Sequence, residues 1–184
     1  MNKLTSYAMA LMMGMGLMGV SATAHADGVT PFYDIGVQSQ YIWRGDAQSV
    51  NNDLSVQGDA GIDAGNGFSA NVWFATGVDV GTGAETEVDF TVDYSGEAGD
   101  IGYSVGYIAY TYTDSALDFN ELYAGGSFGI ASLTAYYNSD AKNLYTELGA
   151  GTTVADMFDA SLAFGINSPD TGSSTNHTTL GLSK

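Results

Sequence analysis

The chain has 184 residues, with 21 acidic side chains against 4 basic ones and no cysteine. A balance this acidic excludes a nucleic-acid partner, which needs a basic footprint to displace phosphate counterions. The missing cysteine excludes a disulfide framework and any thiolate metal site.

Residues 1–26 read as an export signal. Lys3 supplies the charged end, Ala8 to Val20 the apolar stretch, and Ala24 to Ala26 a small-residue cleavage site. The apolar stretch falls short of the roughly 20 residues that cross a bilayer as a helix. The mature chain is therefore expected to run from Asp27 to Lys184. Losing Lys3 leaves 21 acids against 3 bases, a formal charge of −18. Without a linker or a long repeat, residues 27–184 are expected to form one domain.

Beyond the signal the dominant period is two, the mark of strands with a different environment on each face. The first segment, roughly Phe32 to Arg44, sets Tyr33, Ile35, Val37, Tyr41 and Trp43 on one face. Asp34, Gly36, Gln38, Gln40 and Arg44 fall on the other. In Leu54 to Ala64, the row Leu54, Val56, Ala60 and Ile62 opposes Ser55, Gln57, Asp59 and Asp63. Phe68 to Thr76 groups Phe68, Ala70, Val72 and Phe74. Glu85 to Tyr94 alternates Val88, Phe90, Val92 and Tyr94 with Glu87, Asp89, Thr91 and Asp93. Six further segments follow at lower contrast: 101–112, 119–128, 131–138, 143–152, 158–166 and 177–184. Turn residues join them, as in Ala64 to Gly67 and Ser95 to Asp100.

The acids sharpen this pattern. Asp34, Asp59, Asp63, Glu85, Glu87, Asp89, Asp93, Glu121, Glu147 and Asp159 all fall opposite the apolar row of their own segment. A soluble β-sandwich shows the same alternation with its apolar face inward. Three features favour the reverse, with apolar side chains facing lipid. Most segments reach about 9 to 13 residues, the length a membrane strand needs rather than the shorter globular average. Aromatics gather near segment ends: Tyr33, Tyr41, Trp43, Phe68, Phe74, Tyr94, Phe128, Tyr137, Phe158 and Phe164. Long connections (Gly45 to Asp53, Asn167 to Asn176) alternate with short ones such as Gly129–Ile130. Backbone groups in hydrocarbon must all be paired, which requires a sheet to close on itself. The expected fold is all-β: a closed antiparallel up-and-down transmembrane β-barrel of about ten strands.

The stretch "SQYIWRGDAQS", Ser39 to Ser49, resembles the first strand of the TorF family of outer-membrane porins, of the Gcw_chp type of bacterial conserved hypothetical proteins. That strand has the form aromatic-x-aromatic-Arg-Gly-x-x-Gln-Ser, matched by Tyr41, Trp43, Arg44, Gly45, Gln48 and Ser49. "LSVQGDAGID" and "NELYAGGSFG" are also similar to strands of that family, and the resemblance runs from about Val29 to Ser183. It implies a passive porin in the outer membrane of a Gram-negative envelope. It also implies outer-membrane lipid and the barrel-assembly machinery as partners. The chain departs from the family by ending at "LGLSK" without a terminal aromatic, which implies weaker recognition by that machinery.

Arg44 is expected to project inward and pair with Asp59 or Glu87, while Tyr41 and Trp43 face the outer lipid interface. Its role is either to line a conducting lumen or to latch the strands together. The lumen wall is expected to carry Asp34, Asp59, Asp63, Glu87, Asp89, Asp93, Glu121, Glu147 and Asp159 against Arg44. Rings of carboxylates favour cations, so the expected function is passive diffusion of ions or very small cationic or neutral hydrophilic solutes. Inward glycines (Gly36, Gly61, Gly102, Gly106, Gly125, Gly149 and Gly165) would leave a thin water path. A sealed barrel with a structural or adhesive role and a soluble periplasmic all-β binding protein are the alternatives. No enzyme activity, cofactor or metal is expected. "GMGLMG" lies in the export signal and not after a strand. "RGD" at Arg44 to Asp46 is absorbed by the strand-end motif. "NHT" at Asn176 to Thr178 is a sequon without meaning in a bacterial envelope. His177 beside Ser174 and Glu147 is an ordinary surface pattern more often than a catalytic one. Asp79, Glu85, Asp140 and Asp170 lack the spacing of a calcium loop.

Overall fold

A computed structural model describes residues 19–23, 28–49, 51, 53–79, 81, 83–154 and 157–183. Lys3, the cleavage site at Ala24 to Ala26, the expected mature start at Asp27 and the terminal Lys184 lie outside the described residues.

The chain folds as β1 (Gly19–Thr23), β2 (Thr30–Gln38), β3 (Ile42–Trp43), β4 (Asp46–Ala47), β5 (Ser55–Asp63), β6 (Phe68–Asp79) and β7 (Ala84–Ala98). It continues with β8 (Ile101–Tyr112), β9 (Phe119–Phe128), β10 (Ala131–Asn138), β11 (Asn143–Val154), β12 (Phe158–Pro169) and β13 (Thr175–Ser183). A 3-10 turn, Ser115–Leu117, is capped by the Asp114 side chain. Eleven strands form one antiparallel up-and-down sheet in the order β1-β2-β5-β6-β7-β8-β9-β10-β11-β12-β13, and β3 pairs with β4 alone.

Several segment ends coincide with the expected ones, as in β8, β9 and β10, because turn chemistry marks them. Gly65 and Gly67 both take positive φ between β5 and β6, where only glycine escapes a Cβ clash. The β7–β8 pair runs closer to its turn than expected. Strand pairing continues to Ala98↔Ile101, and only Gly99 and Asp100 are left to turn.

The sheet is not the closed barrel that the sequence suggested. Among the described residues β13 pairs only with β12, and the edge of β2 is occupied by β1. Gly19↔Gly36 through Thr23↔Phe32 use the backbone groups that a last strand would need for closure. This strand lies inside the expected export signal and accounts for the eleventh strand where about ten were expected.

The two faces differ as the alternation requires. Outward-pointing Tyr33, Ile35, Val37, Phe90, Val92, Val105, Leu122, Leu133, Leu148, Leu162 and Leu180 are exposed, with Leu180 reaching 78 %. Inward-pointing Ser55, Gln57, Asp59, Glu87, Asp89, Glu121 and Asn138 are buried. What packs inside is mostly polar and aromatic, and what faces out is apolar, mainly aliphatic. An exposed apolar surface of this extent is unusual for a protein in water. At the end bearing the Gly65–Gly67 and Gly99–Asp100 turns, Phe68, Tyr94 and Tyr103 form a run of rings across β6, β7 and β8. Their centroids are 4.8 Å and 6.3 Å apart.

The first segment breaks where one long strand was expected. Strand β2 stops at Gln38, and Tyr41 to Ser49 turns back into the concave side of the sheet as the β3–β4 hairpin. The sheet curls around this hairpin, which touches β6, β8, β9, β10 and β11 and lies close to β13.

Candidate functional site

The hairpin tip is Trp43-Arg44-Gly45-Asp46, with Trp43 opposite Asp46. Both central residues have positive φ, 50° at Arg44 and 85° at Gly45. A two-residue hairpin of this twist needs that geometry. Glycine adopts it freely, whereas arginine is held there at a cost of about 1 kcal/mol. Gly45 is required twice over, since a Cβ on it would lie 2.5 Å from the Cβ of His177 on β13. The base of the hairpin is tied by Gln48 N–H donating to the Tyr41 carbonyl at 2.7 Å. The Tyr41 N–H donates to Ser49 Oγ at 2.6 Å, and the Asp79 N–H to the Gln48 carbonyl at 2.5 Å. These bonds give Gln48 and Ser49 of the motif a structural role.

Arg44 sits at the centre. Its two terminal nitrogens donate to the two oxygens of Glu121 at 2.7 and 2.6 Å, a bidentate fork across 77 residues of sequence. The guanidinium lies 4.3 Å from the Trp43 ring centroid, 4.8 Å from Tyr136 and 4.2 Å from Tyr145. Burial is the largest effect and works against the charge, and the hydrogen bonds to Glu121 together with the attraction of Glu121, Tyr110 and Tyr136 offset it. Cation–π contact with three rings and a charge-assisted fork together replace lost hydration.

This placement corrects three expectations. Arg44 pairs with Glu121 rather than with Asp59 or Glu87. Tyr41 is buried against Trp73, with ring centroids 5.4 Å apart, instead of facing lipid. Trp43 also points inward, with its ring edge-on to Tyr110 and Phe119 at 6.1 and 6.3 Å. The physical reason is the same for all three. The chain reverses at Ser39–Gln40, so the parity counted from β2 no longer applies.

Residues 21–181 match the family described as bacterial protein of unknown function, Gcw_chp. The chain belongs to the Gcw_chp family. No curated protein and no solved structure matches it.

In this Gcw_chp chain the predicted interior acids divide into groups. Glu87, Asp93, Glu121 and Glu147 each accept a tyrosine hydroxyl: Tyr112 at 2.9 Å, Tyr123 at 2.5 Å, Tyr110 at 2.9 Å and Tyr145 at 2.6 Å. Asp34 and Asp59 face each other across β2 and β5. Asp34 accepts the Asp59 N–H at 3.2 Å, and Asn71 reaches Asp59 at 3.5 Å. Asp89 is buried on β7, opposite Trp73, on the same face as Glu87. Asp63 instead caps the turn through the Gly65 N–H at 2.7 Å, and Asp159 is exposed at a strand end with Thr153.

The inward tyrosines were not among the expected site residues. Their signal was present, since Tyr123 follows Glu121 by two and Tyr145 precedes Glu147 by two, which places each ring on the same face as an acid of its own strand. Nor do the inward glycines form an open path. A Cβ at Gly106 would collide with Tyr123, one at Gly165 with Tyr145 and His177, and one at Gly61 with Phe32 and Asn71. These glycines make room for rings.

Removing Glu121 leaves Arg44 buried without a counter-charge. Glu121→Ala is expected to cost about 3–5 kcal/mol, the usual penalty for breaking a buried pair from one side. The double replacement Arg44→Gly/Glu121→Leu should cost less, because both charges leave together. Urea unfolding of the refolded protein followed by tryptophan fluorescence checks the order of these midpoints.

Proposed function

We propose that the mature chain is an outer-membrane β-barrel that passes small cations and very small neutral hydrophilic solutes down their gradients. The observation that carries this reading is the inversion of the usual arrangement: carboxylates inside and aliphatic rows outside on strand after strand. A lipid exterior makes that arrangement favourable, and the strand lengths suit a bilayer. The resemblance of Tyr41 to Ser49 to the opening strand of the TorF porins supports the same reading. A soluble binding protein is disfavoured because it would expose these aliphatic rows to water.

Closure follows from removal of the export signal. Once Gly19–Thr23 is gone, the edge of β2 is free, and ten strands remain to close through β2 and β13. Gly45, seven residues beyond the end of β2, already lies against His177 of β13. Closed, the barrel would be narrow. Eight strands give an interior that side chains fill, and ten lie near that limit. The hairpin narrows it further, so the conducted species are ions and solutes little larger than water. The filled interior also favours a second reading, a sealed barrel with a structural or adhesive role.

Planar-bilayer recording separates the two. A conducting barrel with an acidic interior gives small current steps and a reversal potential under a KCl gradient that marks potassium preference. Chloride preference contradicts the reading, and silence at all voltages favours the sealed barrel. Closure has its own test, since the native chain lacks cysteine. Cysteine at Val37, combined in turn with cysteine at Thr178, Leu180 or Leu182, should form an intramolecular disulfide in the mature protein. Neighbouring same-face positions across a strand pair lie about 4.5–5.5 Å apart. A chain that retains Gly19–Thr23 should form that bond poorly, and its absence in the mature protein contradicts closure.

A further inference from the structure

We propose that Glu121, Tyr136 and Tyr145 form a binding box for small guanidinium compounds, and that Arg44 is its resident occupant. The box belongs to the wall: its three residues come from the adjacent strands β9, β10 and β11, with Tyr136 directly opposite Tyr145. Wall contacts independent of the hairpin hold it in shape. The Tyr110 hydroxyl donates to Glu121 Oε2 at 2.9 Å, and the Tyr145 hydroxyl donates to Glu147 at 2.6 Å. Tyr136 is braced between Tyr123 and Tyr145, at 5.4 and 5.8 Å.

Its geometry selects for a planar, forked cation. The two oxygens of Glu121 take two parallel N–H groups, and tyrosine rings lie 4.2 and 4.8 Å from the central carbon. A guanidinium satisfies the fork and the rings at once. An ammonium is a compact, strongly hydrated point charge and cannot donate through such a fork. Arg44 occupies the box from a backbone at φ 50°, a strain that a free guanidinium does not bear. A soluble guanidinium compound, concentrated by the surrounding carboxylates, therefore competes with Arg44 and releases the hairpin tip. This inference takes its solute route from the cation-conducting reading above and names the class of cation that the interior recognises.

The test uses binding rather than current, so its failure is distinguishable from failure of the pore reading. Arg44→Gly empties the box and suits the positive φ. Purified Arg44→Gly protein in detergent is titrated with methylguanidinium chloride, and in parallel with methylammonium chloride at the same ionic strength. Melting temperature and fluorescence of Trp43, the ring on the hairpin side of the box, are followed. The expected result is saturable recovery of most of the lost melting temperature by methylguanidinium, with methylammonium needing about tenfold more. The effect should vanish in Arg44→Gly/Glu121→Gln. Equal responses to the two cations, or a response that survives Glu121→Gln, overturn the proposal. If Arg44→Gly does not fold alone, refolding yield with each cation gives the same reading: selective rescue by methylguanidinium supports the box, and no rescue overturns it.

Discussion

A β-strand sends successive side chains to opposite faces, and a carboxylate tolerates only a face that can hydrate it or donate to it. In this chain those two constraints leave little freedom. Glu85, Glu87, Asp89 and Asp93 share one parity on β7, while Phe90 and Val92 take the other and are exposed. The same division recurs on β2, β5, β9 and β11. A shift of register by one residue would turn the carboxylates of that strand out and its aliphatics in. The acids therefore hold the register, and the apolar exterior follows from it.

Enclosing so many acids needs donors, and with so few cations those donors are mostly tyrosine hydroxyls. Tyr110, Tyr112 and Tyr145 each serve a carboxylate from the same or a neighbouring strand, and Tyr123 reaches across Gly106 of β8 to Asp93 on β7. Arg44 is the exception, a full charge delivered from the hairpin to Glu121. Of the two roles that the sequence left open, its position fits the latch. The arginine latches the hairpin across the concave face.

Much of the fold was legible because it rests on local periodicity. The segments 101–112, 119–128 and 131–138 were readable from alternation and from the turns between them, and the structure has the same ends. The inward placement of Glu87, Asp89, Glu121 and Glu147 was legible for the same reason. The β3–β4 hairpin was not, because Tyr41 and Trp43 continue the odd-numbered apolar row of β2 as though the strand ran on. Only the pair Arg44-Gly45, a turn that demands two positive φ values, hinted at reversal. The Arg44–Glu121 partnership spans 77 residues and depends on how far the sheet curls, which no local pattern encodes. The strand at Gly19–Thr23 was hidden by its small-residue composition, which suits the end of an export signal as well as an edge strand.

Both tryptophans of the chain, Trp43 and Trp73, point inward. The central claim is that the aliphatic face meets acyl chains while the carboxylate face encloses the interior. Fluorescence in bilayers of lipids brominated along their acyl chains tests it most directly, because bromine quenches only a tryptophan that reaches the hydrocarbon. The account predicts little quenching of the native protein and strong quenching of a third tryptophan introduced as Phe90→Trp or Leu148→Trp. Strong quenching of the native pair, or none at the introduced positions in protein that co-floats with the vesicles, would contradict it.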